Sequence, residues 1–326
     1  MNLLAVAEGV LFIVALLALP DDPAIPAIAA LRADGLSALL PSLDLGDAPV
    51  ELTLRGHDRG YGATFEGVAG DRHFAVKAYA ADPSTQVALY QALAAAGLAG
   101  DSGPRVPRLL AWEPTLHLFA ISWLEGVGVN GLIKEGQGPR AGIVAAAWLH
   151  RIAESPVKMG PTVGPAGTLQ RVGRNIEKVA RFHPDLAEAA ARAKAWLQSK
   201  PPETRRTVLL HGNLYSRHVL DLGDGPGVID WEQFGQGPIE FDAGTYLASL
   251  SRMVTRDDAL EEETARTKET FLSRTQDILE PYALVWYRAA SLLRLASHNA
   301  DRGPRQASML LAEANHWAQT VTTMGE

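Results

Sequence analysis

The 326-residue chain contains no cysteine. That absence removes a disulfide framework, a thiolate zinc site, an iron–sulfur cluster and a cysteine nucleophile together, so any metal must be held by oxygen or imidazole. Positive charge is also in short supply: 30 Lys and Arg against 37 Asp and Glu leave a formal charge of −7. Such a chain does not concentrate phosphate backbones, which argues against a nucleic-acid partner. No Lys or Arg precedes Arg32, so the apolar stretch 3–19 lacks the cationic start of a secretory signal. It is shorter than the roughly 20 residues a spanning helix needs, and Glu8 and Gly9 interrupt it. We read it as a helix of a cytoplasmic protein with no firm membrane association, and as a surface compatible with a homodimer.

What is present is ordinary for a globular protein, with 47% hydrophobic and 21% charged residues. The length suits two lobes. Pro20, Asp21, Asp22 and Pro23 end the apolar stretch, and 25–40 reads as a further helical piece. Short β-like runs follow at 50–55, 63–68 and 72–78, separated by glycine turns, which predicts an antiparallel meander. A helix at 84–96 and strands at 107–112 and 116–123 come next. Beyond 141 the 3.6-residue spacing predicts helices at 141–152, 185–198, 257–278, 282–298 and 305–320. A β-rich interlude at 207–231 interrupts them. The expected architecture is α+β: an N-terminal helical extension at 1–49, a small β-rich lobe at 50–124 and a larger helical lobe at 125–326.

Chemistry concentrates in the interlude. The apolar run Val208-Leu209-Leu210 leads into His211-Gly212-Asn213-Leu214-Tyr215-Ser216-Arg217-His218, and a hairpin leads into Val228-Ile229-Asp230-Trp231-Glu232. Two polar loops at one end of a hairpin are a common way to build a metal-assisted site. Asp230 and Glu232 can both reach a hard cation such as Mg²⁺, which favours carboxylate and phosphate oxygens. A lone Asp-X-Glu is more often a solvated turn, so the pair gains weight only from its surroundings.

Those surroundings carry a resemblance. His211-Gly212-Asn213, Ile229-Asp230-Trp231-Glu232 and Glu240-Phe241-Asp242-Ala243-Gly244 resemble, in order and spacing, the core of the aminoglycoside phosphotransferase and choline kinase superfamily. The likeness extends from about Val50 to His298. It implies a bilobal, protein-kinase-like fold binding ATP and Mg²⁺ in a cleft and phosphorylating a hydroxyl of a small molecule. By the same resemblance, Gly60 and Gly62 of the loop Gly56-His57-Asp58-Arg59-Gly60-Tyr61-Gly62 would hold nucleotide phosphates. Lys77, in the apolar run Phe74-Ala75-Val76-Lys77, would pair with them, since a buried Lys needs an anionic partner. Ser122 to Leu124 would read the adenine edge. His211 would brace the catalytic loop, and Asp242 would cap the helix opening at Ala243 while accepting loop N–H bonds.

The chain departs from the family pattern at three places. Asn213 stands where the family has its catalytic Asp, and an amide can hydrogen-bond a hydroxyl but cannot take its proton. A slow kinase, a nucleotide-binding pseudokinase that regulates a partner, and a chain altered to trap substrate all fit. His218 stands where the family has a second, metal-ligating Asn, and imidazole suits Mg²⁺ poorly. The helix at 84–96 offers no Glu to Lys77, only Gln86 and Gln91. On the acceptor side, Asp257, Asp258, Glu261, Glu262 and Glu263 are interleaved with Arg and Lys, which reads as a solvated helix face. Arg288 and Arg294, six residues apart on one helix, do not share a face.

Overall fold

The computed structural model describes residues 19–299 and 303–322. Except for Leu19, the apolar stretch 3–19 lies outside the described residues. By its internal contacts the chain divides into two units, one running to Gly100 and resuming over Val106–Glu125, the other formed by Asp101–Arg105 and the chain from Gly126 onward.

In the first unit the meander forms as the alternation predicts. Strands β1 (Glu51–Asp58), β2 (Gly62–Ala69) and β3 (Arg72–Tyr79) are followed by the helix Ser84–Ala95 and by β4 (Leu109–Glu113) and β5 (Leu118–Ser122). All pairings are antiparallel, in the order β1-β2-β3-β5-β4. Position in the sheet sets burial. The edge strand β1 is exposed along nearly its whole length, whereas the central β3 is buried from Phe74 to Tyr79. Ahead of the sheet, the helix Pro26–Asp34 begins on a proline, whose missing N–H would be unbonded there anyway. Its Ala27, Ile28 and Leu31 share one core with Phe65, Phe74 and Val76. Each such apolar side chain contributes roughly 1.5–3 kcal/mol on burial, so the described part of 1–49 is held to the sheet by the core itself.

The second unit is mainly helical. Gly138–Ala153 buries Ala141, Val144, Ala145, Leu149 and Ile152, the one-faced spacing of an amphipathic helix. Ala187–Ser199, Glu261–Thr275, Pro281–Asn299 and Pro304–Thr322 match the expected helices, and Glu240–Arg256 is the helix the resemblance implied, begun three residues earlier. Val129–Lys134 and Pro165–Phe182 were not expected. In the latter Leu169, Val172, Ile176 and Val179 do recur at helical spacing, but they are few among polar and charged residues. Trp148, Trp231, Trp286, Tyr246 and Phe271 are fully buried. Two small sheets sit among these helices: β7 (Val208–Leu210) pairs with β10 (Gly235–Gly237), and β6 (Val127–Gly128), β8 (Val219–Asp221) and β9 (Pro226–Val228) form a three-stranded ribbon. Among the described residues no helix is long and apolar enough to cross a membrane.

Candidate active site

The strand β7 delivers the loop His211-Gly212-Asn213, and hydrogen bonds from three directions fix it. The Asp242 carboxylate accepts the N–H of His211 at 2.6 Å and of Gly212 at 3.0 Å. The His211 Nε2 lies 2.8 Å from the Ile229 carbonyl, which can only accept, so Nε2 carries the proton. Its Nδ1 is then free to accept the Asn213 N–H at 3.3 Å. Gly212 adopts φ +78°, and a Cβ there would run into the Gln233 carbonyl, so the loop packs on the 230–234 turn without room for a side chain. Burial pushes the Asp242 carboxyl up to about 7, against the N–H bonds it accepts. The expected capping role needs correcting: the helix begins at Glu240, Ile239 is its N-cap residue and no side chain caps it, so Asp242 lies inside the first turn.

Asn213 is held by its backbone. Its carbonyl accepts the Tyr215 N–H at 2.8 Å and the His218 Nδ1 at 2.9 Å. Its side-chain Oδ1 is buried and has no hydrogen-bond partner among the described residues. A buried acceptor without a donor costs about 1–3 kcal/mol, and groups left so in a folded protein are candidates for ligand contact.

His218 and Asp230 face each other, with Nε2 3.2 Å from Oδ2. Nδ1 donates to the Asn213 carbonyl; burial pushes the imidazole pKa down, and the Asp230 carboxylate opposes that shift. Asp230 is held at φ +71°, an uncommon conformation for a residue with a side chain. The other two such residues, Asp44 and His117, merely end single 3₁₀ turns. The donor set suits a hard cation held chiefly by the Asp230 carboxylate with phosphate and water oxygens, because Mg²⁺ seldom uses an all-protein cage. Among the described residues no three His, Asp or Glu side chains gather as a metal-binding group, so Asp230, His218 and Glu232 do not make a closed centre. Trp231 between them is fully buried, donates its Nε1–H to the Val228 carbonyl and lies 4.9 Å from the His211 ring.

In the first unit, Lys77 is buried on β3, its Nζ 3.4 Å from the Tyr79 hydroxyl. Gln86 is buried on the following helix while Gln91 is exposed. Ser122 gives its N–H to the Arg108 carbonyl and receives the Arg108 N–H on Oγ, and the Trp123 N–H reaches the His73 carbonyl. Gly60 lies in the turn between β1 and β2, and Gly62 opens β2. The surprise is Asp22. Its carboxylate accepts the Gly60 N–H at 2.7 Å and lies 2.9 Å from His57 Nε2, and these two bonds hold it well below the usual carboxylate range. No spacing rule links residues 38 apart, so the only sequence signal was a charged pair between two prolines.

Comparison with curated proteins finds no match. Solved structures match the fold. A choline/ethanolamine kinase family protein from Mesorhizobium loti has a TM-score of 0.54 at 15% identity, over 83% of this chain and 88% of that one. A thermostable mutant of aminoglycoside phosphotransferase APH(4)-Ia, in ternary complex with ADP and hygromycin B, has a TM-score of 0.56 at 16% identity, over 82% and 93%. Choline kinase LicA from Streptococcus pneumoniae has a TM-score of 0.53 at 13% identity, over 83% and 93%. They share the bilobal, protein-kinase-like arrangement of a β-sheet lobe and a helical lobe that the sequence implied. A family model described as the phosphotransferase enzyme family matches residues 53–315, and the chain belongs to that family.

Proposed function

We propose that the protein transfers the γ-phosphoryl group of ATP, with Mg²⁺, to a hydroxyl of a small molecule. The observation that carries this reading is the buried Asn213 Oδ1 without a partner, in a loop that Asp242 and His211 hold in place beside Asp230. An acceptor hydroxyl donating to that oxygen would satisfy it and be oriented by it. Asp230, with Glu232 and His218 in supporting positions, would hold the cation. Mg²⁺, when bound with the nucleotide, would neutralise charge on the phosphate oxygens. Lys77 and the loop carrying Gly60 and Gly62 would position phosphates, and the segment from Ser122 to Leu124 the base. The binding of ADP by a structural relative supports this assignment.

In the transfer, the acceptor oxygen bonds to the γ-phosphorus and the β,γ-bridging P–O bond breaks, its electron pair leaving on ADP. The acceptor proton must go to solvent or to a phosphoryl oxygen, since an amide cannot take it. Little proton removal precedes a loose transition state, so an Asn at this position slows transfer without forbidding it. A positioned base contributes about 10²–10⁴-fold. Asn213→Asp is therefore expected to raise turnover on an alcohol panel by up to that factor, and Asp230→Ala to remove Mg-dependent ATP binding. Failure to bind Mg·ATP would refute the reading. Binding with no turnover in either the native chain or Asn213→Asp would favour the alternative, a pseudokinase that binds nucleotide and regulates a partner.

A further inference from the structure

Next to the Asn213 loop, within the helical unit, lies a cavity of about 210 Å³ with Tyr215 and Ser216 in its wall. Four basic side chains, Lys134, Arg217, Arg252 and Arg256, line it against one acidic residue, Asp257. The Tyr215 ring is the centre of this charge. The guanidinium carbons of Arg217 and Arg252 each lie 4.7 Å from its centroid, and that of Arg294 lies 5.5 Å away. Cation–π contact with one ring can steady such groups, but it does not neutralise them. Arg217 and Arg252 form no ion pair among the described residues, and Arg294, whose Nη2 is buried without a hydrogen-bond partner, has the Asp242 carboxyl as its one acidic neighbour of note.

By contrast, Arg140 pairs with Asp221, Arg105 with Asp224 and Arg288 with Glu313. In a chain of net charge −7, three arginines on one tyrosine are a concentration of the scarcer charge. Burial first, and then the neighbouring Arg256, Arg217 and Arg294 against the opposing effect of Tyr215, bring the Arg252 pKa down to about 10. Like charges held together at a cost to folding are a mark of a binding site. The fork of a guanidinium matches phosphate or carboxylate oxygens, not ammonium groups.

We propose that the acceptor alcohol is an anion, bearing a phosphate or carboxylate that Arg217 and Arg252 hold against Tyr215 while its hydroxyl reaches Asn213. Only the word acceptor rests on the phosphotransferase reading; the anion site stands on the arginines themselves. Choline and aminoglycosides, both cationic, are the wrong sign for this pocket, and the cavity volume suits a molecule of a few carbons.

The test is calorimetric titration of the full chain with glycerol 3-phosphate, inorganic phosphate, glycerol and choline, with and without saturating Mg·ADP. Arg217→Glu and Arg252→Gln are titrated in parallel. Arg217 is exposed, so its variant tests the site even if Arg252→Gln does not fold. The expected result is binding of the two anions, not of glycerol or choline, weakened about tenfold to a hundredfold in each folded variant. Choline binding as tightly as glycerol 3-phosphate, or anion binding unchanged by the variants, overturns the proposal. Binding of inorganic phosphate that glycerol 3-phosphate fails to displace also overturns it, because the site would then take a free anion and not an acceptor. Loss of Mg·ADP binding with anion binding intact refutes the phosphotransferase reading instead, so the two failures are separable.

Discussion

Two loops of this protein each place a glycine N–H on a carboxylate delivered from elsewhere in the chain, and the two carboxylates respond in opposite directions. Asp22 accepts the Gly60 N–H, and its pKa falls. Asp242 accepts the N–H groups of Gly212 and His211, and its pKa rises to about 7. The hydrogen bonds favour the ionised form in both cases. The difference is depth: Asp22 is screened from water by its immediate neighbours near the surface, with its side chain 2% exposed, whereas Asp242 lies in the interior of the helical unit. Desolvation outweighs the two backbone N–H bonds at Asp242, whereas at Asp22 the Gly60 N–H and His57 together outweigh it.

The glycines themselves give the largest expected effect. Both have φ in the left-handed region, +74° at Gly60 and +78° at Gly212, but a Cβ at Gly60 meets nothing within 4 Å while one at Gly212 meets the Gln233 backbone. Gly60→Ala is expected to cost about 1 kcal/mol, the backbone strain alone. Gly212→Ala should cost about 3 kcal/mol or more, because backbone must move. Denaturant unfolding of the two variants checks the ordering, and equal losses would show that the loop at Gly212 yields more easily than its packing implies.

A smaller effect concerns Asp242. Its folded pKa is raised, so its contribution to stability is present below its ordinary value of 3.8 and is lost as pH rises towards about 7. Asp242→Asn is expected to flatten the pH dependence of stability across that window. An unchanged slope would mean that the N–H bonds, and not burial, control this carboxyl.

The smallest is Asp22, whose depressed pKa gives the opposite sign. Its contribution is present above the ordinary carboxylate range and is lost as pH falls through the folded value. The stability difference between the native chain and Asp22→Asn should therefore shrink on acidification. Because Asp22 occupies the Gly60 N–H, the same variant is also expected to alter nucleotide affinity measured by calorimetry. No change in affinity would separate that amide from phosphate binding.

Much of this was legible from local pattern. The meander was readable because β1 to β3 are bounded by Gly60, Gly62 and Gly70, residues that permit tight turns. The proximity of the 211–218 loop to Asp230 was readable because both lie in one short β-rich interlude. The helix Pro165–Phe182 was not read, although Leu169, Val172, Ile176 and Val179 recur at helical spacing, because so few apolar residues stand among polar and charged ones there. Arg294 shows the limit most sharply. Its spacing from Arg288 correctly separates the two, and Arg288 indeed pairs with Glu313 over the Trp317 ring. Nothing in that spacing shows that Arg294 meets Arg217 and Arg252 at Tyr215.

The sequence by itself determined most of the elements, the order of the loop residues and the exclusion of thiolate chemistry, because turn residues, periodicity and composition act over a few positions. Only the tertiary structure decided that Asp22 reaches Gly60, that His218 faces Asp230, and that scattered arginines converge on one ring. Those outcomes depend on where the buried cores bring distant segments together, and charge counted along a chain carries no record of that.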